Sequence, residues 1–280
     1  MTAALHSNAE IFAANRATGH IALRVAALGG RTRRTNVHED GSLRVRFPNA
    51  AGDALEAVIV NTGGGMTGGD RFAVEIALGE GAHLIAGTAA AEKIYRSTGP
   101  DAAMDVRLEV GAGAQLVWLP QETILFDRAR LARCIDIDLA DNASLLMAEA
   151  VVFGRSAMGE AMAQGFFADR WRVRRAGRLI FADSARLDGA VTEKLGQPAS
   201  AAGGIAIATV LMTPSDDGKL AAVRALADQF KGGFLGEVGI SQWGGIAVAR
   251  LCAKDGAVLR HDLTAVLAAL GAPVPRLWLN

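Results

Sequence analysis

At 280 residues, half of them hydrophobic (51%), the chain is long enough for one large core or two smaller ones and too apolar to be disordered. Its 29 Lys and Arg balance its 29 Asp and Glu, which argues against a general nucleic-acid binder. No apolar run approaches the ~20 residues of a membrane-spanning helix. The N-terminus MTAALHSNAE has no basic segment followed by an apolar one, so no signal peptide is expected. Cys134 and Cys252 are far apart and outside any CxxC context. They read as reduced thiols of a cytoplasmic protein.

Residues 1–19 read as a loose lead-in. His20–Leu28 alternates weakly and predicts a first strand, closed by the Gly29-Gly30 break. The cluster Arg31, Arg33 and Arg34 reads as an exposed, solvated loop. Ser42–Phe47 and Leu55–Val60 predict two more strands around the loop Pro48–Asp53. Val60 runs into Asn61–Asp70, NTGGGMTGGD, in which five of ten residues are glycine. A phosphate-binding loop would need a Gly-Lys-Ser/Thr ending and a following helix. Here Arg71–Leu78 alternates instead, placing Phe72, Val74, Ile76 and Leu78 on one face. The glycines therefore link strand to strand, through positive-φ turns or close backbone approach.

An internal repeat follows. Phe72–Leu78 leads through Gly79-Glu80-Gly81-Ala82 into His83-Leu84-Ile85. Met104–Val110 leads through Gly111-Ala112-Gly113-Ala114 into Gln115-Leu116-Val117. Ile135–Leu139 leads through Ala140-Asp141-Asn142-Ala143 into Ser144-Leu145-Leu146. The steps between the fixed alanines are 32 and 29 residues. Such units stack so that each covers its neighbour's apolar face. The expected fold class is mainly β: layered or helically wound stacked β-hairpins, with two helices in the C-terminal third. Phe72, Val74, Val106, Leu108, Ile135 and Ile137 should point inward. The chain is read as a single domain, 1–280, with a β repeat core at about 58–190 and a C-terminal α/β portion at about 203–280.

Between the first two units, Thr88–Ser97 (TAAAEKIYRS) suggests one helical turn or a packed polar segment. In WLPQETILFD, Trp118–Asp127, Pro120 interrupts a strand because it lacks a donor N–H. Gln121 and Glu122 then break an apolar run, and Glu122 either braces a turn through backbone N–H groups or lines a path or contact surface. Asp169–Arg178 alternates Arg170, Arg172 and Arg174 against Trp171 and Val173, a strand with one wet face, and Leu179–Leu187 supplies its partner. Residues 188–200 mark a loop or boundary, and Ile205–Met212 is a buried strand. Ser215 N-caps a predicted helix whose stripe is Leu220, Val223, Ala227 and Phe230. Phe234–Ile240 and Ile246–Cys252 read as strands. Leu259, Leu263, Val266, Leu267 and Leu270 have helical spacing, and Pro275-Arg276-Leu277-Trp278 is apolar enough to dock.

Catalytic motifs are mostly missing: there is no HExxH, no Cys/His cluster, no GxSxG elbow, and the histidines are scattered. His83, in an alternating strand, reads as structural. Carboxylates are the candidates with a pattern. Asp70, Glu92, Glu122, Asp127, Glu149 and Glu160 each sit beside glycine or inside an apolar run, where an unpaired charge is costly. Two of them could perform acid–base hydrolysis, and oxygen ligands could hold a divalent ion weakly.

NTGGGMTGGDR, AAAEKIYRS, WLPQETILFD and VVFGRSAMGE, in this order and spacing, closely resemble the urease accessory protein family called UreD, or UreH in some systems. The resemblance runs from about Val58 to Gly189 and continues more faintly to PRLW. It departs from the family pattern at Gly63, Met66 and Gly87-Thr88-Ala89. The resemblance implies a largely β fold with two helices and no turnover of its own. It implies binding to the urease apoprotein, recruitment of UreF and through it the GTPase UreG, and promotion of lysine carbamylation and nickel insertion. It also implies weak Ni²⁺ binding and a wet, acid-lined nickel passage, with no tightly bound cofactor. The expectation is a non-enzymatic metallochaperone scaffold, with Asp70, Glu92, Glu122, Asp127, Glu149 and Glu160 as a weak or transient nickel path. If these acids are structural, Arg71, Arg96, Arg128 and Arg155 are their nearest partners in sequence. The alternatives are a carboxylate-dependent hydrolase on a β-helical fold and a purely structural adaptor. The ending Leu277-Trp278-Leu279 is expected to form part of an exposed apolar face that binds UreF.

Overall fold

A strand, a tight turn and a second strand recur down the chain, and each recurrence adds one coil to a wound β structure. The structure, a computed structural model, describes residues 15–48, 53–227, 233–274 and 276–278. Among these, the strands are β1 (Thr18–Leu28), β2 (Arg31–Gly41), β3 (Leu43–Arg46), β4 (Leu55–Asn61), β5 (Arg71–Leu78), β6 (His83–Thr88), β7 (Glu92–Ile94), β8 (Ala102–Val110), β9 (Gln115–Leu119), β10 (Thr123–Leu125), β11 (Arg130–Leu139), β12 (Ser144–Arg155), β13 (Glu160–Ala161), β14 (Gln164–Arg175), β15 (Arg178–Ala190), β16 (Ala206–Thr213), β17 (Glu237–Trp243) and β18 (Ile246–Ala253). The helices are α1 (Val191–Leu195), α2 (Asp217–Ala227) and α3 (Gly256–Ala269). No helix among the described residues is long and apolar enough to cross a membrane.

The first sheet has the order β15-β14-β11-β8-β5-β1-β2, and the second β17-β18-β16-β12-β9-β6-β4-β3. In each repeat unit the first arm belongs to one sheet and the second arm to the other. The two arms therefore arch across the core and do not pair as a hairpin. Each hydrogen-bonds in parallel to the equivalent arm of the next coil: β5 to β8 to β11, and β6 to β9 to β12. This follows from the alternation, because both arms carry an apolar inner face and each needs the other's to cover it.

The turn is the same in each coil. Ala82, Ala114 and Ala143 donate their N–H to the carbonyls of Gly79, Gly111 and Ala140, at 3.2, 3.1 and 3.1 Å. All three alanines are fully buried. Gly81 and Gly113 take positive φ values of 64° and 63°, which a side chain would strain. In the third coil Asn142 replaces glycine, and its Oδ1 accepts from Gly113 N–H (2.8 Å), joining one turn to the next.

The register stacks like on like. Ile21, Val74, Val106, Ile135 and Trp171 form one inward row across five strands, and Leu23, Ile76, Leu108, Ile137 and Val173 the next. The six residues expected to point inward are all buried. β1 and β2 extend this sheet, so the basic cluster Arg31, Arg33 and Arg34 lies on an exposed edge strand and not in a loop. Thr88–Ser97 likewise forms the short strand β7 in place of a helical turn, because the β10 backbone is there to pair with it.

α2 and α3 fall where the spacing predicts. Asp216 caps α2 in place of Ser215, its Oδ1 accepting from Lys219 N–H at 3.0 Å. Leu220 and Val223 are buried, Ala227 is exposed, and Phe230 lies outside the described residues. The five-residue α1 is an addition, too short to show a helical period in sequence. Leu220, Val223, Leu259, Leu263, Val266 and Leu267 pack on the outer face of β12, β16 and β18 and build a second core. β12 is thereby buried on both faces, which explains its apolar run from Leu145 to Phe153, interrupted at Glu149.

Leu108 lies at the centre of the first core with no exposed surface. Leu108→Ala should destabilise the fold by about 2–5 kcal/mol, whereas the same change at exposed Leu179 should stay within about 0.5 kcal/mol. Urea denaturation followed by circular dichroism checks both.

Candidate functional site

The inward row of β11 reads Leu131, Arg133, Ile135, Ile137, Leu139, so its period of two drives a guanidinium into the core. Arg133 is only 3% exposed. It meets two carboxylates from neighbouring strands. Its Nη1 donates to Glu149 Oε2 of β12 (2.5 Å), and Nε and Nη2 donate to Asp169 Oδ1 and Oδ2 of β14 (3.0 and 2.6 Å). Two indoles complete the set: Trp118 Nε1–H donates to Glu149 (2.7 Å) and Trp171 Nε1–H to Asp169 (3.0 Å).

Two carboxylates share one guanidinium here. Burial works against the charged Arg133, but Asp169 and Glu149 outweigh it and hold the guanidinium charged. Burial pushes the Glu149 carboxyl above its ordinary range; Arg133 and Trp118 oppose that rise and Asp169 adds to it. A cavity of about 70 Å³ adjoins the triad, lined also by Thr209 and by the ion pair of Asp183 and Arg250 (2.8 Å). Its walls are polar enough to hold water.

The polar row continues between the sheets. Arg133 Nη1 reaches Thr123 Oγ1 of β10 (3.4 Å). Thr123 pairs in register with Glu92 of β7 and with Val151 of β12, so the three side chains share one sheet face. On that same face Ile94, Leu125 and Phe153 enter the core. Among the described residues no salt bridge reaches Glu92; its Oε1 accepts from Asn61 Nδ2 at 2.9 Å, and Lys93 acts on it only at longer range. Burial pushes the Glu92 carboxyl up to about 7, the Asn61 bond offsetting only part of the rise.

The glycine loop closes over this end. Met66 N–H donates to Lys93 O and Tyr95 N–H to Met66 O, both at 2.7 Å. A Cβ on Gly65 would stand 2.4 Å from the Tyr95 ring, so the close approach expected of this loop is real.

The other candidate acids have separate roles. Asp70 accepts from Ala17 and Thr67 N–H, both at 2.8 Å, and pins the glycine loop. Glu122 makes a two-pronged pair with Arg260 of α3 (2.9 and 2.6 Å). Arg260 also donates to Gln121 Oε1 and Trp278 O, both at 3.0 Å. Glu160 pairs with Arg155 and Asp127 lies 3.8 Å from Arg128, while the Asp127 N–H reaches Glu160 Oε1 at 3.4 Å. Arg155 and Arg128 are thus the partners expected from sequence, whereas Arg71 and Arg96 are not. Trp278 is buried, its indole donating to Leu119 O (3.2 Å), so it docks inward and is no part of an exposed face. Leu279 lies outside the described residues. Among the described residues, no group of three or more His, Cys, Asp or Glu side chains is placed to hold a metal ion.

Arg133 and Asp169 are the members of this site that sequence reasoning missed. The signal was present: extending the period of two from Ile135 back to Leu131 puts Arg133 on the inner row. The row Phe167, Asp169, Trp171, Val173 does the same on β14.

The family model for UreD urease accessory proteins matches residues 17–279. The chain belongs to the UreD family. A urease accessory protein UreD of Rhodopseudomonas palustris strain BisA53 is 57% identical over 98% of this chain and 94% of its own length. One from Bradyrhizobium diazoefficiens is 54% identical over the full length of both. A role in urease maturation follows from membership, and the resemblance carried by the glycine loop and by WLPQETILFD holds over nearly the whole chain.

For a UreD-family interior, two consequences can be measured. Arg133→Met leaves two buried carboxylates without their cation and should cost about 3–5 kcal/mol, while exposed Arg170→Met should be close to neutral. Glu92 has its carboxyl raised from 4.5 to about 7 in the folded state. The folded chain therefore binds the proton more tightly than the unfolded one, and stability falls as pH rises from about 4.5 to 7. Glu92→Gln should remove that fall, gaining about 1–3 kcal/mol at pH 8 and little at pH 4.5. Denaturation midpoints across that range decide it.

Proposed function

We propose that the chain is a cytosolic, non-enzymatic scaffold of urease maturation. It binds the urease apoprotein, recruits UreF and through it the GTPase UreG, and passes Ni²⁺ along its interior. The observation that carries the nickel part is the polar row from half-buried Glu92 through buried Thr123 and Arg133 to Glu149, Asp169 and the cavity beside them. A β core has no packing reason to keep an excess of carboxylate there. Ni²⁺ accepts oxygen ligands but prefers nitrogen and sulfur, so an oxygen-lined route favours transfer over storage. The six acids of the sequence reading divide on this proposal: Glu92 and Glu149 face the route, Asp127 and Glu160 flank one another nearer the surface, and Asp70 and Glu122 hold loops and the C-terminus.

The hydrolase reading is weaker. Glu149 and Asp169 are joined through one arginine beside a cavity of about 70 Å³, whereas a substrate pocket spans roughly 300–1,000 Å³. The adaptor reading draws on the partners found for Asp70 and Glu122, which give those two acids a purely structural role.

Glu149→Gln keeps the shape and the Trp118 bond and removes one charge. It should leave co-purification with urease and UreF intact and lower the nickel content and activity of the matured urease several-fold, read by elemental analysis. Glu122→Gln should leave nickel delivery alone. Full activation by Glu149→Gln would make that acid structural and leave the nickel route without support.

A further inference from the structure

α2 and α3 pack on the second sheet and leave the outer face of the first to solvent. Four adjacent strands of that face carry a pattern of both charge and side-chain length. β14 presents a column of arginines, Arg170, Arg172 and Arg174. Beside it, β11 presents Cys134, Asp136 and Asp138, in register with those three. On the far side of β11, β8 presents Asp105, Arg107 and Glu109. On the far side of β14, the edge strand β15 presents only Ser184 and Ala182 against the first two arginines. By length, β8 and β14 stand high and β11 and β15 low.

Much of this charge has no partner within the chain. Arg174 lies 3.5 Å from Asp136 and 4.0 Å from Asp138. Arg170 meets only the Cys134 thiol, at 3.3 Å. Among the described residues, no ion pair within 4 Å reaches Asp105, Arg107, Glu109 or Arg172.

Symmetry decides what such a face fits. A two-fold axis running along the strands, between β11 and β14, lays β14 of one copy over β11 of the other and β15 over β8, matching row on matching row. Each high strand then meets a low one. The arginine column meets the aspartates, Arg107 lies over Ala182, and Asp105 faces the Ser184 hydroxyl. An axis across the strands would instead lay each column on itself, arginine on arginine. Four strands about 4.8 Å apart, along the nine residues of β8, cover about 600 Å² per copy. The pair buries about 1,200 Å², the lower bound for a specific interface.

We propose that this face binds a second copy of the chain about that axis, as a weak, salt-sensitive dimer. Its energy comes from arginine–carboxylate pairs that form between copies. The contact is separate from the interior row and does not depend on the nickel reading.

Sedimentation equilibrium of the full-length chain alone, at about 100 μM and in about 0.1 M and about 1 M salt, tests this. The expected result is a monomer–dimer equilibrium weakened at least tenfold by the higher salt. Arg170→Glu with Arg172→Glu, and separately Asp136→Arg with Asp138→Arg, should each weaken it at least tenfold without changing the thermal melt. Mixing the two variants should restore it. The two reversed columns then meet each other, and the two untouched columns form the second half of the contact. A damaged fold would not be rescued in this way. A chain that stays monomeric at 0.1 M salt overturns the proposal and leaves the face to a different partner. A dimer indifferent to both reversals, or a mixture that stays monomeric, overturns it as well.

Discussion

One guanidinium holds two carboxylates between the sheets, and the arrangement of this interior depends on it. Arg133 and Asp169 belong to the first sheet and Glu149 to the second, so the triad is a polar bolt through an otherwise apolar sandwich. Replacing such a triad with apolar side chains is often neutral or stabilising in other folds, whereas removing one member is not. Stability alone therefore does not account for it. The two indoles matter for the same reason. Trp118 and Trp171 each spend their single donor on one of these carboxylates, leaving their rings to pack in the core.

A second ion pair performs a different task. Glu122 and Arg260 are far apart in sequence, and their pairing brings α3 and the buried Trp278 against the break after β9. Pro120 creates that break by denying the ladder a donor, and the freed turn presents Gln121 and Glu122 outward from the coil. The stretch WLPQETILFD thus serves both cores. Trp118 points to the triad, Leu119 and Glu122 point to the helical layer, and Thr123 returns to the polar row. This division explains why a run that reads as one interrupted strand in sequence carries polar residues at its middle.

Periodicity made most of the fold legible. The three turns and their alanines, the inward rows of β5, β8 and β11, and both long helices could all be read from spacing, because each reflects a local geometric repeat. What could not be read was pairing between distant residues. Glu122 meets Arg260 across 138 positions. Nothing local distinguishes that arginine from Arg71 or Arg96. The edge-to-face contact between the His20 and His38 rings was hidden for a sharper reason. A hairpin closed at Gly29-Gly30 without irregularity would set Val37 opposite Ala22. A bulge between Arg24 and Val25 shifts the register by one and turns His38 to the outer face in its place.

The sign of the interior charge bears on what the row can do. Arg133 brings one positive charge and Asp169 one negative, and Glu149 adds a second negative charge in its ionised form, which Arg133 and Trp118 favour and burial opposes. Glu92, held near 7, adds a third only when it loses its proton. With Glu149 ionised the row carries a net negative charge, which attracts a cation. Yet Arg133 occupies the position where a cation would bind most strongly. A dication 4 Å from a guanidinium is repelled by about 8 kcal/mol at an effective dielectric of 20, which offsets much of its attraction to the two carboxylates. A storage site would have no reason to keep that arginine. The proposed nickel route would, because an ion drawn in by the net charge must also be able to leave. The same arginine that keeps the sheets in register thus sets an upper limit on how tightly this interior can hold a metal.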